Sequence, residues 1–504
     1  MQPTDLSTSS APVEVDAPRS ASSWWHRLPF ALCVLGAALL ARAPGFAHGL
    51  FDPDEAALAT MGMVFERGGT LYRDVIDRKP PLAPMLYALS FWVTGSRHLE
   101  PVHLLAAVEL AAAALVVAAE VRRRAGPRAG WWAAGLLIAG AVAFGARTAQ
   151  AANYAHLALL PACGAIVAAR RGTLRSAVLA GVLLGLATLT LQTWLLGLAP
   201  AAFAAWYHGG RRWRHAVVLA AATALTIGLI GLVVPFGEFL HWTFGGNGSL
   251  LWTLNQSFRP AHRAWVAVTY FVGGHLALCA LVVLRRFHRE DTDLWLWLLT
   301  GLVAVVAGFR FFGHYWFQVL PPLVLLGAPA IASVRAWGRV ALAALVAVPT
   351  IWYWQEAWTP SASHSTVDRR AAALVAEIRK LTKPSDRITV WGSFPELYWL
   401  SGRDPGGALV VSDFLVGKEA FIPDGPQRIK DATPGALDDF LDNMDADLPK
   451  LFLDTSTGRV RQYQHYPITL VPAVRALVNE YYRPVVVVDG VTFYERTHQP
   501  PRRR

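Results

Sequence analysis

Apolar runs of about 17–25 residues, the length that crosses a bilayer's hydrocarbon core, recur from Leu28 to Trp354 and end before Trp358. Their intervals are about 28–47, 102–119, 130–146, 154–169, 174–189, 191–207, 215–234, 264–284, 293–309, 315–332 and 338–355. After Trp358 the pattern changes. "RITVWGS" (387–393), "ALVVS" (408–412), "KLFLDT" (450–455) and "PVVVVDG" (484–490) read as short buried strands, and helical periodicity appears at about 367–382, 434–446 and 471–482. "VVVVDGVTFYER" reads as a hairpin with Asp489-Gly490 at a type I′ turn. The pattern predicts a polytopic α-helical membrane protein of about 11 transmembrane helices over 24–358, with a C-terminal α/β soluble domain over 359–504. That domain shows neither a nucleotide-binding glycine pattern nor a Ser/His/Asp signature, so its expected role is scaffolding or acceptor docking.

One segment decides the topology. "PPLAPMLYALSFWVTG" (80–95) is apolar enough to cross, but if it did, every later basic cluster would change sides. Those clusters are Arg122/Arg123/Arg124/Arg128, Arg170/Arg171/Arg175, Arg211/Arg212/Arg214, Arg285/Arg286/Arg289 and Arg335/Arg339. The positive-inside rule wants all five in the cytoplasm. Laying 80–95 along the membrane surface achieves this, with interfacial helices in a first outer loop at about 48–101. The N-terminus is then cytoplasmic and the C-terminal domain extracytoplasmic, in a multi-pass protein of the plasma membrane. Residues 1–23, rich in Ser, Pro and Ala, read as a disordered cytoplasmic tail, and Trp24–Arg27 lead into an uncleaved signal-anchor.

Composition agrees: 54% of the 504 residues are hydrophobic and mean hydropathy is +0.35. The net charge of +11 is unevenly placed, with 27 Lys+Arg against 17 Asp+Glu up to Trp358 and 19 against 18 beyond it. The excess belongs to the membrane half, and without a basic patch interleaved with aromatics in the soluble domain, nucleic acid is not an expected partner. Cys33, Cys163 and Cys279 all lie in apolar segments and give no disulfide or thiolate-metal framework.

The candidate chemistry sits in the first outer loop. "LFDPDEAALA" (50–59) carries Asp52, Asp54 and Glu55 where the chain has just left a membrane. Capping explains part of it: Asp52 as N-cap, Pro53 at N1 and Glu55 at N3 make a capping-box pattern. It asks little of Asp54, which gains only about 0.3–1 kcal/mol from the helix dipole. Three neighbouring carboxylates at a membrane face also repel, and desolvation raises their pKa, which suits a general base. In the same loop, "YRDVIDRKPPLAP" (72–84) holds Lys79, the only lysine before Lys380 in a chain that otherwise uses arginine. A compact ammonium ahead of paired prolines fits a phosphate contact; an interfacial snorkelling lysine is the other reading.

These residues resemble a known family. "FDPDEAALATMGMVFERGGTLYRDVIDRKPPLAPMLYALSFWVTG" is similar to the first loop of the glycosyltransferase C superfamily, nearest the bacterial membrane glycosyltransferases related to protein O-mannosyltransferases and to the lipid A aminoarabinose transferase. "GFRFFGHYWFQVLPPLVLLGAPAI" (308–331) and "VWGSFPELYWLSGRDP" (390–405) resemble later segments of such proteins. The resemblance implies a polyprenyl-phosphate sugar donor, used on the outer face with inversion at the anomeric carbon. It also implies Asp54, beside Glu55, as the base for the acceptor hydroxyl and Lys79 on the donor phosphate. Where many relatives carry a lysine in the segment matching "LATLTLQTWLL" (186–196), this chain has Gln192 after Leu191, a departure at one substrate contact.

A lipid-phosphate leaving group needs fixed cations, for which Arg73, Arg78 and Arg310 are candidates beside Lys79. His314 and Tyr315 follow Arg310 at the outer end of a span, as substrate contacts or as an interface belt. Asp52 is a further substrate contact. The residues specify no cofactor; Asp52, Asp54 and Glu55 could together hold Mg or Mn, whose preferred ligands are oxygens. Expected partners are the donor lipid, the bilayer, and a lipid, polysaccharide or protein acceptor. The rival classes are a transporter or lipid flippase, which predicts internally repeated halves that are not seen, and a non-catalytic envelope-assembly subunit.

Overall fold

The computed structural model describes residues 28–245, 260–359, 362–418, 429 and 431–499. The tail at 1–23 and the lead-in Trp24–Arg27 lie outside the described residues. The chain begins with α1 (Leu28–Ala41), α2 (Ala43–His48), α3 (Pro53–Glu66), α4 (Leu82–Thr94), α5 (Glu100–Ala125) and α6 (Pro127–Val142). The join between α5 and α6 follows from its residues: Gly126 takes φ 87 to end one helix and Pro127 starts the next. Helical segments continue to Trp358 in every interval where a span is predicted, several broken by 3-10 turns. Five helices are long and apolar enough to cross a membrane: Glu100–Ala125, Trp213–Leu232, Ala261–Arg285, Gly313–Ser333 and Ala336–Trp358. Their exposed Leu, Val and Trp side chains, such as Val283, Trp337 and Trp352, suit a hydrocarbon surround.

Helix α4, the segment that decides the topology, has 13 residues, about 20 Å at 1.5 Å rise, and is one of several apolar helices shorter than the five long ones. It packs along α3. Gly62 permits this, since a Cβ there would meet Tyr87 Cβ at 2.8 Å and the Ala88 amide at 3.0 Å. Its other face exposes Leu89, Trp92 and Val93.

Helix α5 links the two ends of the bundle. Near its start, His103 lies 3.2 Å from Glu55; 17 to 21 residues on, roughly 25–32 Å along the helix, lies a buried ionic network. There Glu120 meets Arg123 and Arg170 at 2.7 and 3.0 Å, Arg170 meets Asp293 at 2.5 Å, and Arg124 and Arg285 share Asp291. Burying these carboxylates is tolerable because each has a guanidinium partner. Three of the predicted basic clusters therefore meet at the end of the bundle remote from Asp54.

Beyond Trp358, helix Ala362–Leu381 leads to a four-stranded sheet of order β1-β2-β4-β3, made of β1 (Ile388–Trp391), β2 (Leu451–Asp454), β3 (Tyr482–Val488) and β4 (Val491–Arg496). β1 and β2 are parallel, and the other pairs antiparallel. Alternation splits the faces: Ile388, Val390, Leu451, Leu453 and Phe493 pack toward Leu374 and Ile378, while Trp391 and Phe452 face the opposite way. The β3–β4 turn has Asp489 at φ 46 and Gly490 at φ 79, the signs a type I′ turn demands.

The segment 408–412 is a correction: it is not a strand of this sheet. Ile76 donates to Ala408 O at 2.8 Å and Val410 donates to Ile76 O at 3.2 Å, so this stretch pairs with the first loop. One apolar core then runs from α3 (Ala57, Met61, Val64) through Leu71–Ile76 into Leu409, Phe414, Phe440 and Tyr463. The C-terminal domain is thereby built onto the loop that carries the acidic motif.

Candidate active site

Helix α3 starts with a complete capping box. Asp52 Oδ1 accepts from Asp54 N at 3.0 Å, and Glu55 Oε2 accepts from Phe51 N and Asp52 N at 2.8 and 3.1 Å. Glu55 also accepts from Ala152 N at 2.6 Å on its other oxygen, which lies 3.2 Å from His103 Nε2, and its side chain is 0% exposed. Three backbone donors hold Glu55, which braces the start of α3 against the 150–153 segment, with His103 of α5 beside it.

Asp54 is turned the other way. Its Oδ1 lies 3.2 Å from Lys79 Nζ, and its Oδ2 accepts from Tyr154 OH at 3.1 Å. Tyr154 OH is also 2.8 Å from His314 Nε2. With Asp54 ionised, the consistent assignment has Tyr154 donating to Asp54 and His314 donating to Tyr154. Lys79 is held equally firmly: its ammonium is 2.7 Å from Asp77 Oδ2, and its carbonyl accepts from Tyr72 OH at 2.7 Å. Tyr72 sits at φ 69, which folds the 70–79 loop back on itself.

The electrostatics separate three neighbouring carboxylates. Burial tends to raise Asp54, but Lys79 and His314 outweigh it and hold it at about 2. Asp52 is pushed up to about 6 by burial and by the charge of Asp54, with Arg147 at 3.8 Å pulling weakly against this. Burial lifts Glu55 to about 7 against three backbone N–H donors. Lys79 is desolvated, yet Asp54 and Asp77 keep its ammonium charged well past the usual lysine range. Asp54 and Lys79 thus stand as a charged pair at neutral pH.

The pair opens onto a cavity of about 710 Å³. Asp52, Asp54, Arg78, Lys79, Gln192, Arg310, His314 and Tyr315 all line it. Arg73 does not: it is exposed on the 70–74 turn, which corrects its expected place beside Lys79. Gln192 Oε1 and Thr193 Oγ1 are buried in the wall with no hydrogen-bond partner. Arg310 is flanked by Phe309 and Phe311 at φ 53 and 52, an unfavourable backbone pair for side-chained residues and one found where a side chain must be aimed. It borders a second groove of about 1030 Å³, lined in part by the aromatic residues Phe271, Trp316, Trp352 and Tyr353. The two spaces share Thr148, Arg310, Phe312 and Gly313.

The oxygen-ligand reading does not fit. Among the described residues no group of three His, Cys, Asp or Glu side chains could hold a metal ion. Glu55 is committed to backbone donors on the far side of α3, and Asp54 is taken by an ammonium. Several polar residues of the site escape a reading along the chain, among them Asp77, Arg147, Tyr154 and Lys418. Asp77 had a signal, as the carboxylate two residues before Lys79. The other three are 68 or more positions from that lysine: Arg147 between two predicted spans, Tyr154 at the start of one and Lys418 in the C-terminal domain.

No family model and no curated protein sequence matches the chain. Solved structures do. ArnT from Cupriavidus metallidurans, bound to undecaprenyl phosphate, superposes with a TM-score of 0.59 at 16% identity, covering 95% of this chain and 100% of that one. The apo oligosaccharyltransferase of Archaeoglobus fulgidus gives 0.55 at 13% identity over 94% of this chain and 75% of its own. AglB from the same organism, in complex with an inhibitory peptide and a dolichol-phosphate, gives 0.53 at 13% identity over 94% and 75%. At these identities the likeness is one of fold: the chain shares their architecture, mostly helical with several apolar helices and a small C-terminal sheet.

Proposed function

We propose that this protein is an integral-membrane glycosyltransferase that moves a sugar from a polyprenyl-phosphate donor to a hydroxyl outside the cytoplasm, with inversion. The observation that carries the proposal is Asp54 ion-paired to Lys79 in a cavity that meets a partly aromatic groove at Arg310. The groove takes the apolar start of the donor chain, while Lys79, Arg78 and Arg310 surround its phosphate. Undecaprenyl phosphate on ArnT and dolichol-phosphate on AglB support a donor of this class.

The acceptor hydroxyl gives its proton to Asp54 as its oxygen attacks the anomeric carbon. The bond to the phosphate oxygen breaks on the opposite face, and the polyprenyl phosphate leaves with the electron pair. Charge gathers on the phosphate in the transition state, where fixed cations stabilise it most. Tyr154, backed by His314, holds Asp54 in place; Asp77 and Tyr72 hold Lys79.

Residues 24–358 form the membrane domain, with eleven crossings and the catalytic loop at 48–101, and 359–504 form the outer domain. The arginine network, roughly 25–32 Å along α5 from His103, supports a cytoplasmic far end and hence an extracytoplasmic Asp54. The test is Asp54→Asn, which keeps the shape and a helix-start residue. Purified protein in lipid nanodiscs should still bind undecaprenyl phosphate, with transfer from undecaprenyl-phosphate sugars to an envelope acceptor fraction almost abolished. Wild-type turnover in this variant would refute the base.

A further inference from the structure

The far wall of the cavity belongs to the C-terminal domain, and the reaction above leaves it unused. A single helical turn, Asp413–Val416, ends at Gly417 with φ 62, and the chain then places Lys418 against the cavity. Lys418 is only 7% exposed. Its Nζ lies 5.6 Å from the centre of the Tyr463 ring, and no carboxylate of the described residues reaches it within ion-pair distance. The neighbouring cations differ. Arg461 is bidentate on Glu396 at 2.5 and 3.2 Å and donates to Ser393 O at 2.6 Å, and Lys79 has two aspartates.

An aromatic face only partly compensates an ammonium withdrawn from water. The surroundings are nevertheless built. Asp413 accepts from Tyr463 OH at 2.7 Å and from Ser393 Oγ at 3.2 Å, which fixes the ring beneath Lys418. Arg459, Arg461 and Gln462 take φ 54, 47 and 67, an unfavourable run for side-chained residues, and the last two face the same cavity. Phe414, on the Lys418 turn, lies under the Arg78 guanidinium at 4.7 Å, so this wall adjoins the donor-phosphate side.

We propose that Lys418, with Gln462 beside it, forms an anion subsite for the acceptor: the acceptor carries a phosphate or carboxylate near the hydroxyl that is glycosylated. The subsite rests on reading the cavity as a glycosyl-transfer site. It gives the outer domain a direct part in acceptor choice, because a buried cation rejects neutral analogues by staying unpaired.

The test uses the full chain in nanodiscs, with and without saturating undecaprenyl phosphate, titrated with glucose 1-phosphate, glucuronate and glucose. Wild type should bind at least one of the two anionic sugars tenfold or more tightly than glucose, and which one does so tells phosphate from carboxylate. Lys418→Gln should bring the preferred sugar to within about twofold of glucose, Lys418→Arg should restore part of the preference, and both should bind undecaprenyl phosphate as wild type does. Equal affinity for all three sugars, or a preference that survives in Lys418→Gln, would overturn the subsite. A matching loss of undecaprenyl phosphate binding in Lys418→Gln would also overturn it, by assigning the lysine to the donor. Failure of wild type to bind undecaprenyl phosphate would count against the donor reading alone, since the sugar titrations are scored separately.

Discussion

Removing Lys79 should change both how tightly the donor is held and how the rate depends on pH. A charge-assisted hydrogen bond to an anion is worth about 1.5–3 kcal/mol, so Lys79→Ala should lower donor kcat/KM by roughly 10- to 150-fold. The second effect comes from Asp54. Its carboxylate lies at about 2 instead of 3.8, which at 1.36 kcal/mol per pH unit is on the order of 2 kcal/mol in favour of the charged form, net of burial. Without the ammonium the burial remains and Asp77 loses its partner, so Asp54 should rise above the ordinary value. The wild-type kcat/KM profile should stay flat on the acid side down to about pH 3, while the variant loses rate from about pH 5 downward. Initial rates of undecaprenyl phosphate release from a synthetic sugar donor, with an envelope acceptor fraction, provide the assay. Size-exclusion and circular dichroism confirm folding, because unpairing the buried Asp77 could cost about 3–5 kcal/mol. Lys79→Arg keeps the charge on a wider head and should recover part of the rate. Unchanged donor affinity together with a flat profile in Lys79→Ala would refute the assigned role and make the lysine an interface anchor.

Other substitutions separate bracing from chemistry. Asp52 lies at about 6 in the folded chain against an ordinary 3.8, so its contribution to stability is fully present below about pH 4 and lost as pH rises through 6. Asp52→Asn keeps the cap, and melting curves should show that loss removed between pH 4 and 6. Glu55→Gln places an amide NH₂ against donors that Glu55 accepts from, so it should cost about 3 kcal/mol or more and reduce folded yield, unlike Asp54→Asn; a well-folded but inactive Glu55→Gln would make it a catalytic group. Tyr154→Phe removes the hydroxyl between Asp54 and His314 and should cost about tenfold or more in kcat/KM with little change in melting temperature, whereas an unaltered rate would limit Tyr154 to packing.

What could be read along the chain were features whose partners lie close by. The α3 capping box spans four positions, the type I′ turn two, and Lys79 stood out because the membrane half uses arginine everywhere else. What could not be read was made by contacts across long separations. Tyr154 meets Asp54 from 100 positions away and His314 from 160, and each looks like part of a span. "ALVVS" has the composition of a core strand, yet its hydrogen-bond partner is Ile76, and no local pattern reports a strand's partner. Glu55 and Asp54 could not be told apart along the chain for a related reason. A capping carboxylate and a catalytic one look alike in sequence, and the backbone donors of Ala152 and Phe51 that decide the matter carry no side-chain signature.

The Asp54–Lys79 pair also implies an order of events. A carboxylate at about 2 is a poor base for a hydroxyl, so the cavity without donor holds its base in check. Lys79 lies closer to Asp77, at 2.7 Å, than to Asp54, at 3.2 Å, and can stay charged on Asp77 while turning toward a phosphate. A donor phosphate that draws the ammonium away removes the main force holding Asp54 low, and burial then raises it. Base strength would thus appear only once the leaving group is in place, which favours donor binding before proton transfer. The acid limb of kcat, which reports the loaded enzyme, should then lie at higher pH than the limb of donor kcat/KM, which reports the free one. Asp77→Asn weakens the alternative anchor and should shrink the gap by leaving Lys79 on Asp54. Coincident limbs in wild type would show that the donor leaves Asp54 where it was, and the base would have to be activated by the acceptor itself.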